Sequence, residues 1–88
     1  MPWEDLSYVL GSSLSLKILE CLSHGEKAPS IIAKETNIAR SNVSTKIPEL
    51  VKRGMIKCLN PSNRRWRFYA ITDKGKQILG KAQKIKVK

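Results

Sequence analysis

Histidine, cysteine and carboxylate are all in short supply in this chain. Among 88 residues there is one histidine, His24, two cysteines, Cys21 and Cys58, and seven Asp/Glu. The Cys and His positions are too few and too scattered for a structural zinc site or a disulfide framework. No metal and no cofactor is therefore expected. Cys21 falls in an apolar helical pattern and Cys58 in a strand pattern, so both are read as buried, reduced thiols. Catalysis is a poor reading as well: the carboxylates are dispersed, there is no Gly-rich phosphate loop, and no nucleophile stands beside a base. No apolar run approaches the roughly 20 residues that span a bilayer. The start, MPWEDLSYVL, is acidic and has no basic segment ahead of an apolar run, unlike a signal peptide. A cytoplasmic protein is expected.

What the chain does carry is positive charge, placed unevenly. The formal net charge is +10. Residues 1–36 hold three lysines against five carboxylates, whereas residues 37–88 hold fourteen Lys/Arg against only Glu49 and Asp73. An acidic front and a strongly basic rear imply one face turned toward a polyanion. A hydrophobic share of 41% suffices for one modest core.

The pattern of elements is legible along the chain. Trp3, Leu6, Val9 and Leu10 recur at helical spacing and stop near Gly11. A second helix runs from Ser12 or Ser13 to His24, with Leu14, Ile18, Leu19 and Leu22 on its apolar face and Gly25 ending it. Pro29 suits the first position of a third helix reaching about Thr36. Asn37–Ala39 forms a turn. The next helix covers roughly Arg40 to Arg53, with Val43, Ile47, Leu50 and Val51 inward and Gly54 as terminator. Met55–Leu59 and Arg64–Ile71 read as strands around the turn Asn60-Pro61-Ser62-Asn63. Thr72 can cap a last helix that starts at Asp73 and carries Ile78, Leu79, Ala82 and Ile85.

Helix, helix, turn, helix, strand, basic loop, strand, helix is the order of a winged helix-turn-helix. The expected fold class is α+β, mainly α: a three-helix core and a two-stranded wing, with terminal helices. Residues 1–88 are read as a single domain, with 1–11 as a helical extension and 73–88 as the C-terminal helix. Off the apolar stripe of the helix after the turn lie Arg40, Ser41, Asn42, Ser44, Thr45 and Lys46. These are short hydrogen-bonding groups and cations, with no carboxylate among them, suited to base edges and phosphates. In the wing, Asn63, Arg64, Arg65 and Arg67 surround a turn with no acidic neighbour between Glu49 and Asp73. Such a tip suits phosphate or a narrow minor groove. Phe68 and Tyr69 are read as packing residues and Trp66 as the aromatic able to reach outward.

These residues carry a family resemblance. IIAKETNIARSNVSTKIPELVKRGMI resembles the helix-turn-helix of MarR- and ArsR-type winged-helix regulators, and RRWRFYAITDKG resembles their wing strand with its following Thr-x-Lys-Gly. The resemblance covers residues 13–80. It implies a double-stranded DNA-binding transcriptional regulator, homodimeric by analogy with small archaeal members, associated with the nucleoid. Arg40–Asn42 and Ser44–Lys46 would face the major groove, and the Arg-rich wing the backbone or minor groove. Three departures stand out. Ala28 and Ala39 replace the usual capping residues, a loss worth about 1 kcal/mol each. Pro48 lies within the reading helix, removes a bond to the Ser44 carbonyl, and should kink or shorten that helix. The metal ligands of ArsR-type members have no counterpart.

Trp3, Leu6 and Leu10, with Ile78, Ala82 and Ile85, form two spare apolar stripes. They make either the dimer contact or intramolecular packing of the terminal helices. Two other uses of the basic surface stay open beside the regulator: non-specific nucleic-acid or chromatin association, and docking of an acidic protein partner.

Overall fold

The computed structural model describes residues 3–63 and 65–86. The elements are α1 (Trp3–Leu10), α2 (Ser13–Leu22), α3 (Pro29–Thr36), α4 (Arg40–Lys52), β1 (Ile56–Cys58), β2 (Tyr69–Ile71) and α5 (Asp73–Lys86). This is the mainly helical winged helix-turn-helix expected from the residue pattern.

Local chemistry explains most helix ends. Ser12 caps α2, its Oγ accepting from the Ser15 amide at 3.2 Å. Pro29 opens α3. Asn37 closes it in the left-handed region (φ 59°, ψ 32°), a conformation asparagine tolerates better than most residues. The end of α4 is a Schellman turn: the Met55 amide donates to the Leu50 carbonyl at 3.0 Å and the Gly54 amide to the Val51 carbonyl at 2.9 Å. Gly54 sits at φ 78° there, which only glycine adopts without strain.

Pro48 does not shorten α4, which runs unbroken from Arg40 to Lys52. The proline itself is exposed, while Ile47 and Leu50 on either side are buried. Core anchors flanking the missing hydrogen bond hold the two halves in one helix.

Ile18, Leu19, Leu22, Ile32, Val43, Leu50, Met55 and Ile56 form the centre of the core. Val51 is a correction: it lies at the exposed edge of α4 rather than inside. Of the two readings of the terminal helices, packing within the chain accounts for most of their stripes. Leu6 and Val9 of α1 and Ile78, Leu79 and Ala82 of α5 belong to that same core, and Leu10 is packed against it. Leu6, Ile78 and Ala82 thus lie inside the single chain rather than on a surface seam, because α1 and α5 bury their stripes against each other and α2. Only Trp3 (71% exposed) and Ile85 (55%) remain open.

The strands pair antiparallel, with Ile56 opposite Ile71, Lys57 opposite Ala70 and Cys58 opposite Tyr69. Both are shorter than the sequence suggests. One further ladder bond, from the Leu59 amide to the Phe68 carbonyl at 2.8 Å, ends the pairing. Beyond it, asparagine side chains take the amides that a longer ladder would have used. On its other edge β2 meets the segment before α3: Lys27 and Tyr69 exchange both backbone bonds, at 3.0 and 2.9 Å. That bridge ties the wing to the entrance of the helix-turn-helix.

Candidate nucleic-acid interface

Burial of Val43, Ile47 and Leu50 turns the opposite side of α4 outward. Arg40, Ser41, Asn42, Ser44 and Thr45 are all exposed there. The Thr45 hydroxyl donates to the Ser41 carbonyl at 2.9 Å, so its proton is engaged within the helix and its oxygen is left to accept. No side chain caps the N-terminus of α4 at Ala39. The first amides of the helix are left to solvent or to an anion.

Lys46 behaves differently from its neighbours. Its Nζ donates to the Tyr8 hydroxyl at 3.3 Å and lies 3.5 Å from Glu49 Oε1. The Tyr8 hydroxyl donates in turn to Glu49. Burial pulls the Lys46 pKa down, but its hydrogen bond to Tyr8 and the Glu49 charge outweigh this and leave it raised. The Tyr8 hydrogen bond is also the largest reason why the Glu49 carboxyl is held below its ordinary value, with Lys46 adding to it against burial. Lys46 is therefore turned toward α1, away from the five open residues.

The wing tip is organised by two asparagines. Asn63 Oδ1 accepts from the Arg65 and Trp66 amides at 2.9 and 2.8 Å. Its side chain shapes the turn rather than reaching outward. Asn60 Oδ1 accepts from the Phe68 amide at 2.8 Å, and its Nδ2 donates to the Trp66 carbonyl. Arg67 Nε donates to the Asn63 carbonyl at 3.1 Å, which braces that guanidinium over the loop. Arg65 and Arg67 are exposed. Arg64, the third wing arginine, lies outside the described residues. Trp66, at the tip, is 66% exposed. Tyr69 packs inward, but Phe68 does not: at 39% exposed it lies outward opposite Leu59, because strand alternation sends position 69 to the core.

Replacing Asn60 by Ala removes both of these loop bonds while leaving the core intact. Amide exchange at Phe68 should accelerate about tenfold, with a loss of only about 1 kcal/mol in stability. An unchanged Phe68 rate would show that the wing is ordered by something else.

Sequence reasoning missed three participants near this surface. Tyr8 and Glu49 hold Lys46, while Asp5 holds Arg53 (3.1 Å) and Lys74 (2.7 Å). The i, i+3 pairing of Lys46 with Glu49 is visible in the sequence. The partners on α1 carry no local signal. Of the thiols, Cys21 is buried and donates to Glu35 at 3.4 Å; burial first, then Glu35, raises its pKa, against the charge of Lys27. Cys58 is half-buried, in contrast to the expectation. Among the described residues no group of His, Cys, Asp and Glu could hold a metal ion, and no helix is long and apolar enough to cross a membrane.

The geometry has known counterparts. The transcriptional repressor CouR, bound to a 23-mer DNA duplex, superposes with a TM-score of 0.69 at 29% identity over 80% of this chain and 51% of that one. The transcriptional regulator BldR from Sulfolobus solfataricus gives 0.77 at 23% identity, covering 93% and 63%. ZitR of Lactococcus lactis, a zinc-responsive MarR family member, gives 0.72 at 20% identity, covering 83% and 51%. The chain thus spans between 51% and 63% of the length of these three structures. None of the curated proteins matches it. A family model described as winged helix-turn-helix matches residues 12–88, all but α1 and its turn. The chain, built on the fold of MarR-type regulators, belongs to the winged helix-turn-helix family.

Proposed function

We propose that this protein is a sequence-specific double-stranded DNA-binding transcriptional regulator acting as a homodimer. The N-terminal half of α4 enters the major groove, and the wing, through Arg65 and Arg67, grips the backbone or minor groove. The observation that carries this reading is the open face Arg40–Thr45, free of carboxylate and held out by three buried residues of the same helix. The uncapped amides at the start of α4 suit a phosphate at the groove edge. CouR was captured on a duplex and a ZitR variant in complex with DNA, both with this fold. In a dimer, the two reading helices would stand about 34 Å apart on a two-fold symmetric site. Of the two terminal stripes, Trp3 and Ile85 are the exposed residues left to contribute to that contact.

Sequencing of duplexes retained from a random pool tests the reading. A palindromic site should be enriched and preferred over bulk DNA by about 10³ or more. Replacing Arg40 by Ala should weaken binding and flatten the slope of log K against log salt by about 0.9, the share of one phosphate. Near-equal affinity for all duplexes would assign the surface to non-specific association instead.

A further inference from the structure

Pro48 has no amide hydrogen for the Ser44 carbonyl, so α4 lacks one rung between its outward-reading half and its anchored half. Tyr8 of α1 lies across that gap. Its hydroxyl accepts from Lys46, before the proline, and donates to Glu49, after it. Its ring carries the Arg53 guanidinium 3.9 Å from the centroid and the Lys46 ammonium at 5.1 Å. Arg53 is held in turn by Asp5, three residues back on the same face of α1. Both hydrogen-bonding capacities of one phenol are thus spent on a single turn of α4, on either side of its missing bond. A packing role alone would be served by the ring without the hydroxyl. Moreover, α1 lies outside the segment matched by the family model, which begins at residue 12.

We propose that Tyr8 is a positioning residue that splints α4 across Pro48 and so sets the angle at which Arg40–Thr45 is presented. This rests on the reading of α4 as the DNA-reading helix. The backbone bond lost at Pro48 is replaced by a side-chain bridge anchored on α1. The reading angle is thereby coupled to the docking of α1 on α2 and α5.

The test uses the full chain with Tyr8→Phe, which keeps the ring over Arg53 and removes the hydroxyl, and with Pro48→Ala, which restores the rung. In the free protein, amide exchange at Glu49 and Leu50 should rise about fivefold in Tyr8→Phe, the worth of one hydrogen bond. The same change made on Pro48→Ala should have less than about a twofold effect, because the helix no longer needs the bridge. Unchanged exchange in Tyr8→Phe, or an equal rise in both backgrounds, overturns the splint. On DNA, the preference for the selected duplex over random duplex should fall about fivefold in Tyr8→Phe and recover in the double variant. Faster exchange with selectivity intact overturns the link to reading. If the wild type selects no duplex, the proposed function falls and the link to reading falls with it. The exchange measurements still decide the splint, since they require no DNA.

Discussion

Replacing Gly75 by Ala is expected to lower the melting temperature by about 15 °C, a loss of about 3 kcal/mol at the upper end of overpacking costs. A methyl there would lie 2.1 Å from the Met55 carbonyl oxygen, 2.8 Å from Ile71 Cγ1 and 3.0 Å from the Met55 carbonyl carbon. Neither side can yield cheaply. The Met55 carbonyl accepts from the Thr72 amide at 2.9 Å, and the Met55 amide donates to Leu50 at 3.0 Å. The Thr72 hydroxyl donates to the Gly54 carbonyl at 2.6 Å and accepts from the Gly75 amide at 3.1 Å. The start of α5 is thus knotted to the turn that ends α4. Relief of the clash requires α5 to withdraw, which uncovers Ile78, Leu79 and Ala82. Gly80→Ala provides the contrast. Nothing lies within 4 Å of its added methyl, so the helix preference for alanine should raise stability by about 0.5–1 kcal/mol. Calorimetry on both variants decides the matter. A Gly75→Ala shift below about 4 °C, roughly 1 kcal/mol or less, would show that α5 slides without loss.

Asp5→Asn should cost about 2 kcal/mol near neutral pH, and the loss should disappear in acid. The Asp5 carboxylate is buried and accepts from Lys74 Nζ at 2.7 Å and Arg53 Nη1 at 3.1 Å. Both cations stay about one-third exposed and can partly rehydrate, which keeps the loss below the 3–5 kcal/mol of a fully buried pair. The hydrogen bond from Lys74 is the largest cause holding the Asp5 carboxyl below its ordinary 3.8, with Arg53 assisting against burial. A carboxyl depressed in the folded state binds fewer protons there than in the unfolded chain. Its contribution is complete above the ordinary value and is lost as pH falls through the lower, folded one. Glu49 is also depressed and titrates in the same sense, so the useful quantity is the difference between wild type and Asp5→Asn. Urea midpoints should show that difference constant at pH 7 and pH 6 and vanishing well below 3.8. A difference that persists unchanged in acid would mean that the introduced amide disturbs packing rather than charge.

The open face of α4 was more legible than its support. Arg40, Ser41, Asn42, Ser44 and Thr45 could be placed outward from the spacing of Val43, Ile47 and Leu50 alone, because helix periodicity assigns faces without any tertiary information. Lys46 has the same periodic position as an outward residue but is claimed by Tyr8, 38 positions away in the chain. The wing failed differently. Its aromatic, β-prone residues suggested a longer second strand, yet Asn60 and Asn63 bind the loop amides and stop the ladder early. Those asparagines were legible only as turn formers.

The terminal helices show the sharpest division. Their amphipathic stripes were plain from the residues, but a stripe states only that something must cover it. Coverage came from within the chain, as α1 and α5 closed on one another and on α2.

Read alone, the chain was enough for helix positions, most of their ends, the fold class and the carboxylate-free outer face of α4. All of these follow from interactions within a few residues, or from charge counted along the chain. Only the tertiary structure could decide that α1 is part of the body, that Lys27 pairs with Tyr69, and that Tyr8 and Asp5 hold α4 and its C-terminal turn. The hydrogen bonds among them join residues 38 to 48 positions apart, and no local pattern encodes which distant partners chain closure will bring together.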